Sequence, residues 1–201
     1  LLFLAVLKLG CIEVNLSPDM PTDTIIRAFK QTEISVLICG KLPVQKLHAI
    51  IDACPEIPHN ILERQLTDGI GRPGFMTLED MNREHPGTLP AVSTDTDPAL
   101  IQFTSGTTGA PKGVTLSQKS FITAARARQK ILKLDANTCI LNILRLSHSC
   151  SKSLLFDALV LKATLVLAKG FVPPSAFLKT LREEKITLIT VTRPDEKPIK
   201  L

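Results

Sequence analysis

The sequence predicts an α/β fold with largely parallel β-sheets flanked by helices. Two features carry that expectation. Short apolar runs such as Ser35-Val-Leu-Ile-Cys39, closed by Gly40, have the length and branched side chains of strands covered on both faces. After Ala99 such runs alternate with longer segments whose apolar residues return at helical spacing, and strands separated by helices of that length form parallel β-α-β units with right-handed crossovers.

Taken in order, Leu1 to Leu9 is dense enough in apolar residues for a buried helix that stops near Gly10, and Ile12 to Pro18 reads as a short strand entering a proline turn. Thr22 or Asp23 can cap a helix running through Lys30. Ser35 to Cys39 is the next strand, and Leu42 to Ala53 a helix with Leu47, Ile50 and Ile51 on one face. Between about Pro55 and Thr96 the chain becomes polar and rich in proline and glycine, the composition of a surface excursion with one short helix near Thr77 to Arg83. Then come a strand over Ala99 to Phe103, a glycine-rich loop, and a helix over Ser117 to Leu132 with Phe121, Ala125 and Leu132 inward. A strand over Thr138 to Leu144, a helix over Leu154 to Leu161 and a strand over Thr164 to Ala168 follow. A helix opened by Pro174 and Ser175 carries Phe177, Leu178 and Leu181 on one face, and Ile186 to Val191 is a last strand. The chain thus divides into an α/β segment over 1–54, the excursion over 55–96 and a β-α-β segment over 97–194.

Composition narrows the function. The 201 residues are 44% hydrophobic and 21% charged, enough to bury a sizeable core. The net charge of +5 is scattered and neither Trp nor Tyr occurs. Nucleic-acid binding, which needs a dense basic stripe or aromatic stacking platforms, is therefore not expected. No stretch reaches the roughly 18 uninterrupted apolar residues of a membrane span. The opening LLFLAVLKLGCIEVNLSP lacks an initiating Met and a basic start, and Lys8 interrupts it, so it is not expected to be a secretory signal. A chain that begins inside an apolar helical pattern instead points to missing upstream sequence. Five cysteines (11, 39, 54, 139 and 150) without a C-x-x-C pair read as reduced, buried thiols of an intracellular protein, and no metal-ligating set is evident.

The densest chemistry is in FTSGTTGAPKG, residues 103–113. Gly106, Gly109 and Gly113 carry no Cβ, so backbone N–H groups can approach an anion closely. Ser105, Thr107 and Thr108 add hydroxyl donors, and Lys112 a compact positive charge. Pro111 stiffens the turn ahead of the lysine. A loop that follows a strand and precedes the 117–132 helix lies where α/β sheets bind ligands, beyond the carboxyl ends of strands, and its donors suit polyphosphate oxygens better than a solvated turn. An ordinary P-loop is excluded, because Pro111 and Gly113 stand where G-x-x-x-x-G-K-[ST] needs Gly and Ser/Thr. The G-x-G-x-x-G dinucleotide fingerprint is absent too.

The stretch Thr104-Ser-Gly-Thr-Thr-Gly-Ala-Pro-Lys-Gly113 closely resembles the phosphate-loop signature of the AMP-forming adenylating enzymes: acyl-CoA synthetases, aryl-CoA ligases, luciferases and peptide-synthetase adenylation domains. Segments 7–18, 97–120 and 164–194 are similar to that family in a weaker way. IQFTSGTTG at 101–109 and CPEIP at 54–58 look most like medium-chain fatty acyl-CoA ligases of the acyl-CoA synthetase family member 2 type. The resemblance implies a part of the family's large N-terminal domain. It also implies ATP and Mg2+, a carboxylic acid (a fatty acid in that subgroup), and coenzyme A as thiol acceptor. It assigns the nucleotide to Thr104, Ser105, Gly106, Thr107, Thr108, Gly109 and Lys112, with Lys112 also catalytic. His148, in LRLSHS at 144–149, matches a family histidine at the junction of acid and ATP, which the resemblance makes catalytic; a satisfied histidine at a strand end is the other reading.

The likeness has gaps. The family's Tyr-Gly-x-Thr-Glu segment, its ribose-binding Asp and its C-terminal-domain Lys have no counterpart before Leu201. Ser147 stands where an aromatic is usual. Lys152 and Asp157 fall in a helix expected to line an acyl tunnel, where either must pair or face solvent. Two functions stay open: the core of a carboxylate–CoA ligase within a longer parent enzyme, or a truncated, non-catalytic nucleotide-binding or interaction module. The subgroup implies the mitochondrial matrix, with the cytoplasm also open, and nothing in the sequence fixes the oligomeric state.

Overall fold

A glycine ends the first helix, as the sequence leads one to expect. In the computed structural model, which describes residues 2–40, 42–62, 75–77, 92, 94–104, 112–168 and 173–190, α1 (Leu2–Lys8) is followed by Gly10 at φ 69°. The Gly10 amide donates to Leu7 O at 3.0 Å and the Cys11 amide to Val6 O at 3.0 Å, the reversal that a left-handed residue makes possible at a helix end.

The described residues fall into two units, Leu1–Leu116 and Ser117–Leu201. After α1 the first holds β1 (Glu13–Asn15), α2 (Thr22–Thr32), β2 (Val36–Cys39), α3 (Val44–Ala53), β3 (His59–Leu62), β4 (Phe75–Thr77), β5 (Pro98–Thr104) and β6 (Lys112–Ser117), the last ending at the boundary. One sheet has the order β2-β3-β4 and is parallel throughout, with Val36 opposite His59 and Asn60 opposite Phe75. A second has the order β1-β5-β6, and β1 runs parallel to β5 with Val14 opposite Ile101. Ile25 and Phe29 of α2, Leu37 of β2, and Leu47 and Ile50 of α3 close a core with Cys54 and Ile57. Burying each such side chain is worth about 1.5–3 kcal/mol.

Two strands lie inside the stretch expected to be a surface excursion. In β3 the alternation is hidden by His59 and Asn60, but Ile57 and Ile61 are buried and β3 is the middle strand of its sheet. The short helix expected from Thr77 begins on the last residue of β4, and positions 78–83 lie outside the described residues.

The second unit alternates as expected: α4 (Gln118–Leu132), β7 (Cys139–Asn142), α5 (Ser149–Leu161), β8 (Thr164–Leu167), α6 (Pro174–Glu183) and β9 (Leu188–Ile189). Its sheet has the order β8-β7-β9, all parallel. Ser117 caps α4 by accepting from the Ser120 amide at 3.2 Å, which satisfies one of the donors that a helix start leaves open. Helices α4 and α5 pack through Phe121 and Phe156, whose rings stack with centroids 4.7 Å apart, and through an ion pair. Arg128 Nε lies 3.0 and 2.9 Å from the two Asp157 carboxylate oxygens and Nη2 lies 2.7 Å from one of them. Asp157 has no exposed surface, whereas the Arg128 side chain keeps a third of its own. The charge that looked costly in α5 is therefore paired. Lys152 of the same helix is buried as well.

Among the described residues, four past helix ends take left-handed angles without being glycine: Glu33, Lys133, Lys162 and Lys185, at φ between 48° and 56°. The cysteines depart from the expectation of uniform burial. All five are free, but only Cys54 is buried, and Cys11 and Cys150 are exposed. Burial pushes the Cys54 thiol up, Glu56 adds to the effect and Lys30 opposes it. No helix among the described residues is long and apolar enough to cross a membrane.

Replacing Arg128 by Met strands a fully buried carboxylate, and the expected loss is about 3–5 kcal/mol in urea unfolding at neutral pH. Arg128→Met combined with Asp157→Leu should recover most of that loss, because an apolar pair fills the same space with no charge to compensate. A native-state thiol reagent should modify Cys11 and Cys150 well before Cys54.

Candidate functional site

Thr104 and Lys112 are the last residue of β5 and the first of β6, so the signature loop joins two neighbouring, hydrogen-bonded strands. Ser105, Gly106, Thr107, Thr108 and Gly109 lie outside the described residues, as does Pro111. The expected passage from strand through loop directly into a helix is corrected here: β6 intervenes, and α4 begins only after it. The alternating and branched KGVTLS sequence favours a strand, and the helix start is already capped by Ser117.

Strand β5, which ends where this loop begins, is itself enclosed in its sheet. It lies between β1 and β6, and Ala99 and Leu100 have no exposed surface. Gly113, which the sequence presents as one of the bare backbone positions for an anion, has a packing role. A Cβ built there would stand 2.9 Å from Ile101 Cγ2 and 3.4 Å from Phe103 Cζ. The absent side chain lets β6 lie against β5, which sets where Lys112, one residue earlier and exposed, leaves the sheet. Gln102 of β5, which sequence reasoning passed over, donates to Phe103 O at 3.5 Å while its buried Oε1 has no partner among the described residues. A buried polar group without a partner, two residues ahead of the signature loop in sequence, is a signal available only from structure.

In the second unit, His148 occupies the N-cap position of α5 in extended backbone at φ −97° and makes no side-chain cap. Its ring is exposed while its backbone is held. The His148 amide donates to Arg145 O at 2.9 Å, and its carbonyl accepts from Ser151 N at 3.0 Å and Lys152 N at 3.3 Å. It is therefore an exposed histidine at the start of α5, in the turn that follows β7. Ser147, beside it, has a buried Oγ with no partner among the described residues. Lys112 belongs to the first unit and His148 to the second. Among the described residues no group of three or more His, Cys, Asp or Glu side chains is placed to hold a metal ion.

The sequence model of the family described as "AMP-binding enzyme" matches residues 1–194. The chain belongs to that family. Among relatives of this chain, the dimodular nonribosomal peptide synthase of Bacillus subtilis is 28% identical over 166 residues, which are 83% of this chain and 6% of that protein. The long chain acyl-CoA synthetase 8 of Arabidopsis thaliana is 26% identical over 146 residues, 67% of this chain and 20% of that one. Among solved structures, the O-succinylbenzoate coenzyme A synthetase of Bacillus subtilis in complex with ATP and magnesium ion superposes with a TM-score of 0.68 at 18% identity, over 94% of this chain and 45% of that chain. The chain thus spans less than half of each of these proteins and has the α/β architecture of the family's N-terminal domain.

Gly113→Ala should destabilise the first unit by about 1–3 kcal/mol, because the added methyl must displace a branched side chain within a sheet. Thermal unfolding measures the loss, and Ile101→Ala in the same chain should return part of it by removing the opposing methyl.

Proposed function

We propose that this chain is the nucleotide-handling part of a longer enzyme that adenylates a carboxylic acid and passes the acyl group to coenzyme A. The observation that carries this is the family signature spanning the β5–β6 connection, with its lysine standing exposed on the first residue of β6.

In the first step a carboxylate oxygen forms a bond to the α-phosphorus of ATP, the bond from that phosphorus to the bridging oxygen breaks, and diphosphate departs with the electron pair. In the second, the sulfur of coenzyme A attacks the acyl carbon and AMP leaves. The protein contributes placement and charge in the first step and no covalent bond. We assign the departing diphosphate to Ser105, Thr107, Thr108 and the Lys112 ammonium, with the amides of Gly106 and Gly109 assisting and Thr104 anchoring the loop to β5. His148 is assigned to the junction of acid and nucleotide. Magnesium would arrive on the phosphates of ATP and neutralise their charge. The described residues offer it no ligand cluster, so none of them is assigned to it.

The acid is the finer question. A fatty acid is supported by the acyl-CoA synthetase relative, whose name gives long chains, and medium length only by the wording of residues 101–109 and 54–58, while the peptide synthase relative, of similar identity, favours an amino acid. The fatty-acid reading implies the mitochondrial matrix or the cytoplasm.

In the full-length enzyme, exchange of labelled diphosphate into ATP should require an acid, with medium-chain fatty acids supporting it and amino acids not. Lys112→Ala should lower that exchange about a hundredfold or more. Exchange without any acid, or undiminished exchange in Lys112→Ala, would overturn the assignment; nucleotide binding without exchange would mark a non-catalytic module.

A further inference from the structure

We infer that Asn142 and Ser151 act as positioning residues for the His148 turn, clipping residues 143–148 so that the imidazole is presented to the acid; the functional half of this rests on the function proposed above.

The clip is a closed ring of hydrogen bonds. The Leu144 amide donates to Asn142 Oδ1 at 3.0 Å, Asn142 Nδ2 donates to Ser151 Oγ at 2.5 Å, and the Ser151 hydroxyl donates to Leu144 O at 3.5 Å. In each of these three bonds one proton meets one acceptor. The orientation of the Asn142 amide follows, because a backbone N–H can face only its oxygen. Asn142 is the last residue of β7 and Ser151 lies in the first turn of α5, and they are 1% and 0% exposed. The ring therefore fuses the end of the middle strand, the start of the turn and the start of the helix.

The far end of the turn is tied by the same helix. Ser151 and Lys152 amides both donate to the His148 carbonyl, and the His148 amide closes back on Arg145. Asn142 O is itself held by the Ala168 amide at 3.0 Å, just past β8. His148 thus has a fixed backbone and an exposed ring, the combination a group needs if it is to meet a substrate without reorganising.

Packing alone does not call for these side chains. A buried amide and a buried hydroxyl are costly unless fully paired, and an apolar pair of similar volume would fill the space without that demand. What the polar pair adds is a fixed location for both backbone groups of Leu144. In a parallel sheet, the turn leaving the carboxyl end of a middle strand is the position at which ligands bind.

The test uses the full-length enzyme and two readouts. Hydrogen exchange of the peptide spanning residues 143–148 should speed at least tenfold in Asn142→Ala, with peptides from the rest of β7 unchanged. In diphosphate exchange, the milder Ser151→Ala should raise KM for the acid about tenfold and leave KM for ATP unaltered. Ser151→Ala combined with His148→Ala should be no worse than His148→Ala alone, since a residue acting through another gives a non-additive loss. Additive losses, an equal rise in KM for ATP, or unchanged hydrogen exchange would overturn the inference. If the wild-type enzyme shows no acid-dependent exchange, the proposed function fails, and hydrogen exchange decides the clip by itself: a tenfold rise in Asn142→Ala upholds it and no change sinks it.

Discussion

Parallel pairing, of β1 with β5 and throughout the other two sheets, is the constraint from which most of this structure follows, the β5–β6 pair being joined directly by the signature loop. Parallel neighbours cannot be joined by a tight turn, so the chain must cross over, and the crossovers cover the faces of the sheet. Middle strands then disappear from solvent: β5 carries Ala99 and Leu100 with no exposed surface, and β7 carries Ile140 and Leu141 at 0% and 1%. A strand buried that deeply is a fixed platform. The loops that leave its carboxyl end, the signature loop after Thr104 and the 143–148 turn after Asn142, are where function can be built without disturbing what holds the fold.

The second unit carries polar chemistry inside and pairs much of it, the buried Ser147 hydroxyl being an exception among the described residues. Asp157 has a guanidinium on both oxygens, and Asn142 and Ser151 satisfy each other and a backbone segment. Such groups add little net stability over apolar ones, but they discriminate sharply between one arrangement and its neighbours. A shift of α5 along its own axis by a single turn would leave the Asp157 carboxylate and the Asn142 amide without partners at once. The stacked rings of Phe121 and Phe156 tolerate sliding far better, so register in this helix pair is set by hydrogen bonds and area by rings.

Much of this was legible from residues alone. Helical periodicity located α2, α3, α4 and α6, and apolar runs bounded by glycine or turn residues located β2, β7 and β8. The signature between Thr104 and Gly113 pointed to the family through its likeness to a known phosphate-loop sequence, and the family model matches residues 1–194. Three things were not legible. Strands β3 and β4 lie in a polar, proline-rich stretch where the buried positions are too few to make a pattern. Strand β6 was merged with the loop because Gly113 looks like loop chemistry until the opposing Ile101 is seen. The Asn142–Ser151 ring joins residues nine positions apart, and composition carries no trace of such a contact. His148 was visible only through the family likeness; its fixed backbone was not.

The left-handed residues beyond the helix ends have a practical consequence. Glu33, Lys133, Lys162 and Lys185 hold angles that glycine adopts with less steric cost, and none of them belongs to the signature loop, the 143–148 turn or the ion pair. The protein therefore leaves room for thermostabilisation at its helix stops, where engineering for heat tolerance need not touch either of the places at which chemistry is assigned.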